Sequence, residues 1–132
     1  REEMTRRLVR ACENPYVTIL GHPTGRLIGR RPGVDVDLDA VLRACARTGT
    51  VLEINAAPDR LDLCDRDILL ASRYGVRFAI NSDAHSTVQL DVLRYGVGTA
   101  RRGWLSAADV VNTWSPRRLA GLLRTKRAAV PA

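Results

Sequence analysis

Arg47-Thr48-Gly49-Thr50-Val51-Leu52-Glu53-Ile54-Asn55 can be laid over Arg73-Tyr74-Gly75-Val76-Arg77-Phe78-Ala79-Ile80-Asn81. Each copy opens on a helix end, then has a Gly suited to the left-handed residue that follows a helix. Each closes on a short apolar run ending in Ile-Asn. Ahead of the first copy, Leu38, Val41, Leu42 and Cys45 recur at i, i+3, i+4 and i+7 and line one helical face. Asp37 is placed to cap that helix. The helix ahead of the second copy is expected to start after Asp62 and to bury Cys64, Ile68 and Ala71. An earlier unit has the stripe Met4, Leu8, Ala11 and Cys12, which Asn14-Pro15 ends before a strand at Val17. Helices alternating with short apolar strands imply an α/β fold, a parallel sheet with right-handed crossovers and strands buried on both faces.

Beyond these units, Tyr95-Gly96-Val97-Gly98-Thr99 is a candidate fourth strand. The tail is expected to be helical over 107–111. It is expected to be helical again from Ser115-Pro116, a cap followed by a first-turn proline. Residues 117–127 form a basic helix with Leu119, Leu122 and Leu123 as its inner stripe and a solvated outer face. Three or four strands do not close a barrel, which normally needs about eight. The alternatives are a small open sheet and the last part of a larger barrel. A chain that opens inside an amphipathic pattern, without a start Met, favours the second.

A length of 132 residues suits one domain, and 45% hydrophobic residues suits a water-soluble one. No run approaches the ~18 apolar residues of a membrane span, and Arg1-Glu2-Glu3 does not open a signal peptide. Cys12, Cys45 and Cys64 are odd in number and widely spaced, which points to buried thiols in a reducing cytoplasm. A net charge of +7, carried by arginines with Lys126 as the single lysine, suits a polyanionic partner. Few aromatics are interleaved with those arginines, so a phosphate-directed surface fits better than a base-stacking one.

The chain has two histidines. His22 stands in Leu20-Gly21-His22-Pro23, just past Val17-Thr18-Ile19-Leu20. His85 stands in Ser82-Asp83-Ala84-His85, just past Phe78-Ala79-Ile80. If both runs are parallel strands, the two imidazoles and the Asp83 carboxylate emerge at one carboxyl-terminal sheet edge, where such folds place their chemistry. A histidine after a strand is usually a solvated or hydrogen-bonded turn residue. Three candidate ligands at corresponding strand ends, with no histidine elsewhere, point instead to a zinc, manganese or iron site.

These stretches resemble the PHP (polymerase and histidinol phosphatase) family, and within it the carboxyl-terminal domain of bacterial family X DNA polymerases. The resemblance is carried by Leu20-Gly21-His22-Pro23-Thr24-Gly25-Arg26, by Leu52-Glu53-Ile54-Asn55-Ala56, and by Pro58-Asp59-Arg60-Leu61-Asp62-Leu63. It continues through Asn81-Ser82-Asp83-Ala84-His85-Ser86, Arg94-Tyr95-Gly96-Val97 and Ala100-Arg101-Arg102-Gly103-Trp104-Leu105. It implies a distorted seven-stranded, TIM-like (β/α)7 barrel, of which residues 1–132 form the carboxyl-terminal part. The barrel's first half and any polymerase domain would lie upstream in the same polypeptide. It also implies up to three divalent metals, manganese or zinc with iron and magnesium as alternatives. His22, Asp83 and His85 match family ligands and would be the catalytic metal-binding residues, whereas Glu53 matches a different position within a later strand.

The implied chemistry is metal-assisted phosphoester hydrolysis. In family X polymerases this domain is associated with 3′-5′ exonuclease and related 3′-end or abasic-site processing of DNA. Arg26, Arg30 and Arg31 follow His22 and would reach a DNA phosphate, or form an ordinary solvated loop. Arg60 could do the same, or pair with Glu53 or Asp59. Asn55 and Asn81 could orient ligands or cap strand ends, and Ser86 or Thr87 is expected to cap the next helix. A histidinol-phosphatase-like enzyme acting on a small monoester and a non-catalytic nucleic-acid-binding scaffold are the alternatives. The chain alone is expected to be inactive, because the remaining ligands of each metal would come from the upstream half.

Overall fold

The computed structural model of the chain describes residues 1–128. Its elements run α1 (Glu2–Glu13), β1 (Ile19–Leu20), α2 (Leu38–Thr48), β2 (Val51–Asn55), α3 (Asp65–Ser72) and β3 (Phe78–Asn81). A 3₁₀ segment (Thr87–Val92) leads into α4 (Leu93–Arg102). Two short 3₁₀ turns (Ala107–Asp109 and Val111–Thr113) then precede α5 (Pro116–Ala128). The strands form one parallel sheet in the order β1-β2-β3. β2 and β3 pair from Leu52 against Phe78 to Asn55 against Asn81, the register in which the two sequence copies overlay.

Successive side chains of a strand point to opposite faces. Leu52, Ile54, Phe78 and Ile80 pack with Cys12, Leu42, Cys45, Ile68 and Ala71 of α1–α3 in the main core. On the other face, Val51 and Ala79 pack with Val111, Trp114 and Leu122. The same face turns polar toward the carboxyl ends, with Glu53, Asn55 and Asn81. The Asp37 carboxylate accepts the Ala40 amide at 3.2 Å, and Gly49 closes α2 at φ 70°. α3 instead ends at Ser72 with Arg73 as its cap, and Gly75 takes its φ of 71° in the turn that follows. The Cys12 and Cys45 sulfurs lie 3.5 Å apart in the core as buried thiols.

Several local expectations need correction. Residues 95–99 are the middle of α4 and not a strand, because Gly96 lets that helix lie directly on Ala56 and Ile80. The place beside β3 is taken instead by Val110, which makes a parallel bridge to Phe78. The Asn112 amide adds a pair of bonds to the Ile80 N–H and C=O (2.8 and 2.9 Å). That bridge splits the helix expected over 107–111 into the two 3₁₀ turns. α3 begins at Asp65, and Cys64 is half-buried at its cap position. Ser86 precedes the 3₁₀ segment without a side-chain cap, and Gln89 Oε1 accepts the His85 amide instead (2.6 Å). On α5, Leu119 and Leu123 are exposed, whereas Lys126 is buried, its ammonium donating to the Cys12 carbonyl at 2.5 Å and to the Thr50 hydroxyl. No helix among the described residues is long and apolar enough to cross a membrane.

Candidate functional site

His22 and Asp83 each stand two residues beyond the end of their strand, on loops leaving the same edge of the sheet. Both hold left-handed backbone, φ 29° for His22 and 55° for Asp83. Only two other non-glycine residues among those described do so, Leu61 and Trp104. Such conformations cost about 1–3 kcal/mol, are best tolerated by Asn, Asp and His, and collect at functional sites.

Between the two loops lies Glu53, on the central strand. Its Oε2 accepts the His22 amide at 2.5 Å and the Asn55 side-chain amide at 3.3 Å, and its Oε1 accepts the Asn81 amide at 2.8 Å. The same Asn55 nitrogen donates to Asp83 Oδ2 at 3.1 Å. Three successive hydrogen bonds therefore join the His22 backbone to the Asp83 carboxylate. Both asparagines end their strands; Asn55 reaches the candidate ligand Asp83, whereas Asn81 reaches Glu53, and Asn55 Oδ1 also accepts the Ala57 amide at 3.0 Å.

Asp83 and His85 share a cavity of about 440 Å³ with Arg60, Ser82 and Gln89. The His85 ring, at Nδ1, lies 2.7 Å from the Asp83 carbonyl, so with the proton on Nδ1 its Nε2 is left as an acceptor. Metal-bound histidines are held in this way by their second nitrogen. Arg60 Nε stands 3.5 Å from Asp83 Oδ2, so its partner is Asp83 and neither Glu53 nor Asp59. His22 does not line this cavity.

The arginine loop lies over a separate hollow with Arg26, Arg30 and Arg31 at its wall. Arg26 donates to the carbonyls of Arg60 (2.7 Å) and Leu61 (2.5 Å), and Arg31 donates to the carbonyl of Gly25 (2.6 Å). Arg30 is exposed. Asp62, fully buried, accepts the amides of Thr24 (3.1 Å) and Gly25 (2.8 Å). Asp62 and Arg26 thus clamp the loop after His22 to the loop that carries Arg60. Asp62, Glu53 and Asn55 organise the site without belonging to the candidate ligand set. The sequence signal for Asp62 and Glu53 was an acidic residue inside an apolar stretch.

Burial raises the Asp62 pKa above its ordinary 3.8, against the lowering effect of the Thr24 and Gly25 hydrogen bonds. The folded state then holds this proton more tightly than the unfolded state. The resulting stabilisation is complete below pH 3.8 and disappears as pH rises through the raised value. Relative to Asp62→Asn, which carries no such proton, the wild-type protein is expected to lose stability across that interval. Urea midpoints of both proteins, measured as a pH series, check the sign. A wild-type advantage that grows with pH would contradict it.

As donors, two imidazoles and a carboxylate suit a divalent ion in kind. Their number falls short, since among the described residues no three His, Cys, Asp or Glu side chains converge to hold one.

Over 119 residues, 90% of this chain, 42% of positions are identical to the DNA polymerase/3′-5′ exonuclease PolX of Bacillus subtilis (strain 168). This chain is similar to one part of that PolX. Probable phosphatases of Thermoanaerobacter sp. (strain X514) and of Caldanaerobacter subterraneus subsp. tengcongensis are each 34% identical over 100 residues, 71% of the chain. No family model matches the chain. The chain spans 21% of the length of PolX and 38% and 36% of the two phosphatases. The family resemblance drawn from the motifs is borne out by these similarities.

Proposed function

We propose that this chain is part of a PHP-type phosphoesterase domain attached to a bacterial family X DNA polymerase, acting in the cytoplasm on the 3′ ends of DNA. The barrel, with strands supplied from upstream, belongs to the same proposal. The observation that carries it is the meeting of Asp83, His85 and Arg60 on one open cavity at the carboxyl ends of parallel strands. Similarity to a polymerase/exonuclease over nine-tenths of the chain supports it further. His22, Asp83 and His85 would hold divalent metals, manganese or zinc in first place and iron or magnesium otherwise. Bound metals of this kind grip phosphate oxygens, supply hydroxide near neutral pH and stabilise the leaving oxygen.

The chain's own side chains do the rest. Arg60, half-buried beside Asp83, is placed to meet a substrate phosphate once that carboxylate is engaged elsewhere. Arg30 offers an exposed guanidinium for the DNA backbone, and Arg26, tied to two carbonyls, contributes charge while holding the loops together. His85 is kept in one tautomer by the Asp83 carbonyl.

The phosphatase relatives favour a second reading, hydrolysis of a small phosphate monoester. The deciding experiment supplies the intact protein and manganese with a 3′-recessed duplex and, separately, with p-nitrophenyl phosphate. Nucleotides released from the 3′ end faster than nitrophenol support the nuclease. Faster monoester turnover supports the phosphatase, and turnover of neither substrate with manganese or zinc leaves a nucleic-acid-binding scaffold.

A further inference from the structure

Glu53 is a costly residue to keep where it is. It is 8% exposed on the central strand, and the three groups that donate to it, the His22 amide and the side chains of Asn55 and Asn81, are all neutral. Arg60, the partner expected for it from the sequence, is turned to Asp83. A buried carboxylate without a cation costs several kcal/mol of desolvation, and an apolar residue of similar size would ordinarily serve stability better. Its contacts nevertheless span the whole edge. Through His22 it touches the end of β1, through Asn81 the end of β3, and through Asn55 it reaches Asp83. Gly21 lies beside it, where an added Cβ would sit at ordinary contact distance, 3.6 Å, from Oε2.

We propose that Glu53 is the positioning residue of this site, an acceptor that fixes the loops carrying His22 and Asp83 relative to each other. This rests on the metal-site proposal above. Only a carboxylate offers two acceptor oxygens here, one facing His22 and the other Asn81. A glutamine keeps the shape but must turn its NH₂ toward one of those donors.

The test uses Glu53→Gln in the intact protein. Backbone amide exchange at His22 and through residues 82–86 is expected to quicken about tenfold. Manganese affinity is expected to fall about 10–100-fold, the usual cost of losing an outer-shell orienter. The global unfolding midpoint should stay close to wild type. Glu53→Ala, should it fold, is expected to exceed both effects. Unchanged exchange at His22 in Glu53→Gln would overturn the proposal, and so would unchanged manganese affinity with Asp83→Ala weakened. If Asp83→Ala also binds manganese like wild type, the metal-site proposal itself fails, and the positioning proposal falls with it.

Discussion

Under the proposed function, replacing Asp83 by asparagine in the intact protein is expected to lower a manganese-supported phosphoesterase rate at least about 100-fold, since removing even an outer-shell partner costs up to that much. The fold should survive. Asp83 is exposed and lies in a loop, and its pairing with Arg60 at 3.5 Å is partly solvated, a geometry worth no more than about 1 kcal/mol. Asparagine also tolerates the left-handed backbone at φ 55°. It is therefore a cleaner test than alanine, for which that conformation costs roughly 1–2 kcal/mol by itself. Rates on a 3′-recessed duplex, paired with circular-dichroism melts, separate chemistry from stability. Asp83→Asn with a wild-type melt and a rate within threefold of wild type would remove Asp83 from the ligand set.

The units that set the fold were legible because each carried its own local physics. The paired copies ending at Asn55 and Asn81 have the same spacing from glycine to strand end, and the register in the sheet matches the overlay. Asp37 and Gly49 mark the two ends of α2 through hydrogen bonding and backbone freedom that neighbours do not alter. The candidate site was legible in its candidate ligands but not in its framework. His22, Asp83 and His85 are recognisable by residue type at strand ends. Glu53 and Asp62 act through donors 31 and 38 positions away in sequence, His22 and Thr24, and nothing local announces those partners. For the same reason the pairing of Arg60 with Asp83 escaped, because Glu53 and Asp59 are nearer in sequence but Asp83 is nearer in space. The buried Lys126 is the counterpart on α5, its ammonium satisfied by a carbonyl and a hydroxyl from two other elements.

Two glycines of α4 have opposite expected responses to the same substitution. Gly98→Ala meets nothing within 4 Å and removes a helix-interior glycine, so it is expected to stabilise the protein by up to about 1 kcal/mol. At Gly96 an added Cβ would lie 2.6 Å from Ile80 Cγ2 and 2.8 Å from Ala56 Cβ. Neither can swing away, as Ile80 is stiff at χ1 and Ala56 has no rotamer. Overpacking of this kind costs about 1–3 kcal/mol, more than the helix-propensity gain returns. Thermal melts should therefore move in opposite directions, by roughly 3–6 °C per kcal/mol for a chain of this size. The displacement also falls on the site, because Ala56 follows Asn55 and Ile80 precedes Asn81, the two amides that bind Glu53. Under the proposed function, Gly96→Ala is thus expected to lose nuclease rate at temperatures where it is still folded, whereas Gly98→Ala keeps it. Melts that shift together would show that α4 does not lie on the strand ends as closely as Gly96 allows.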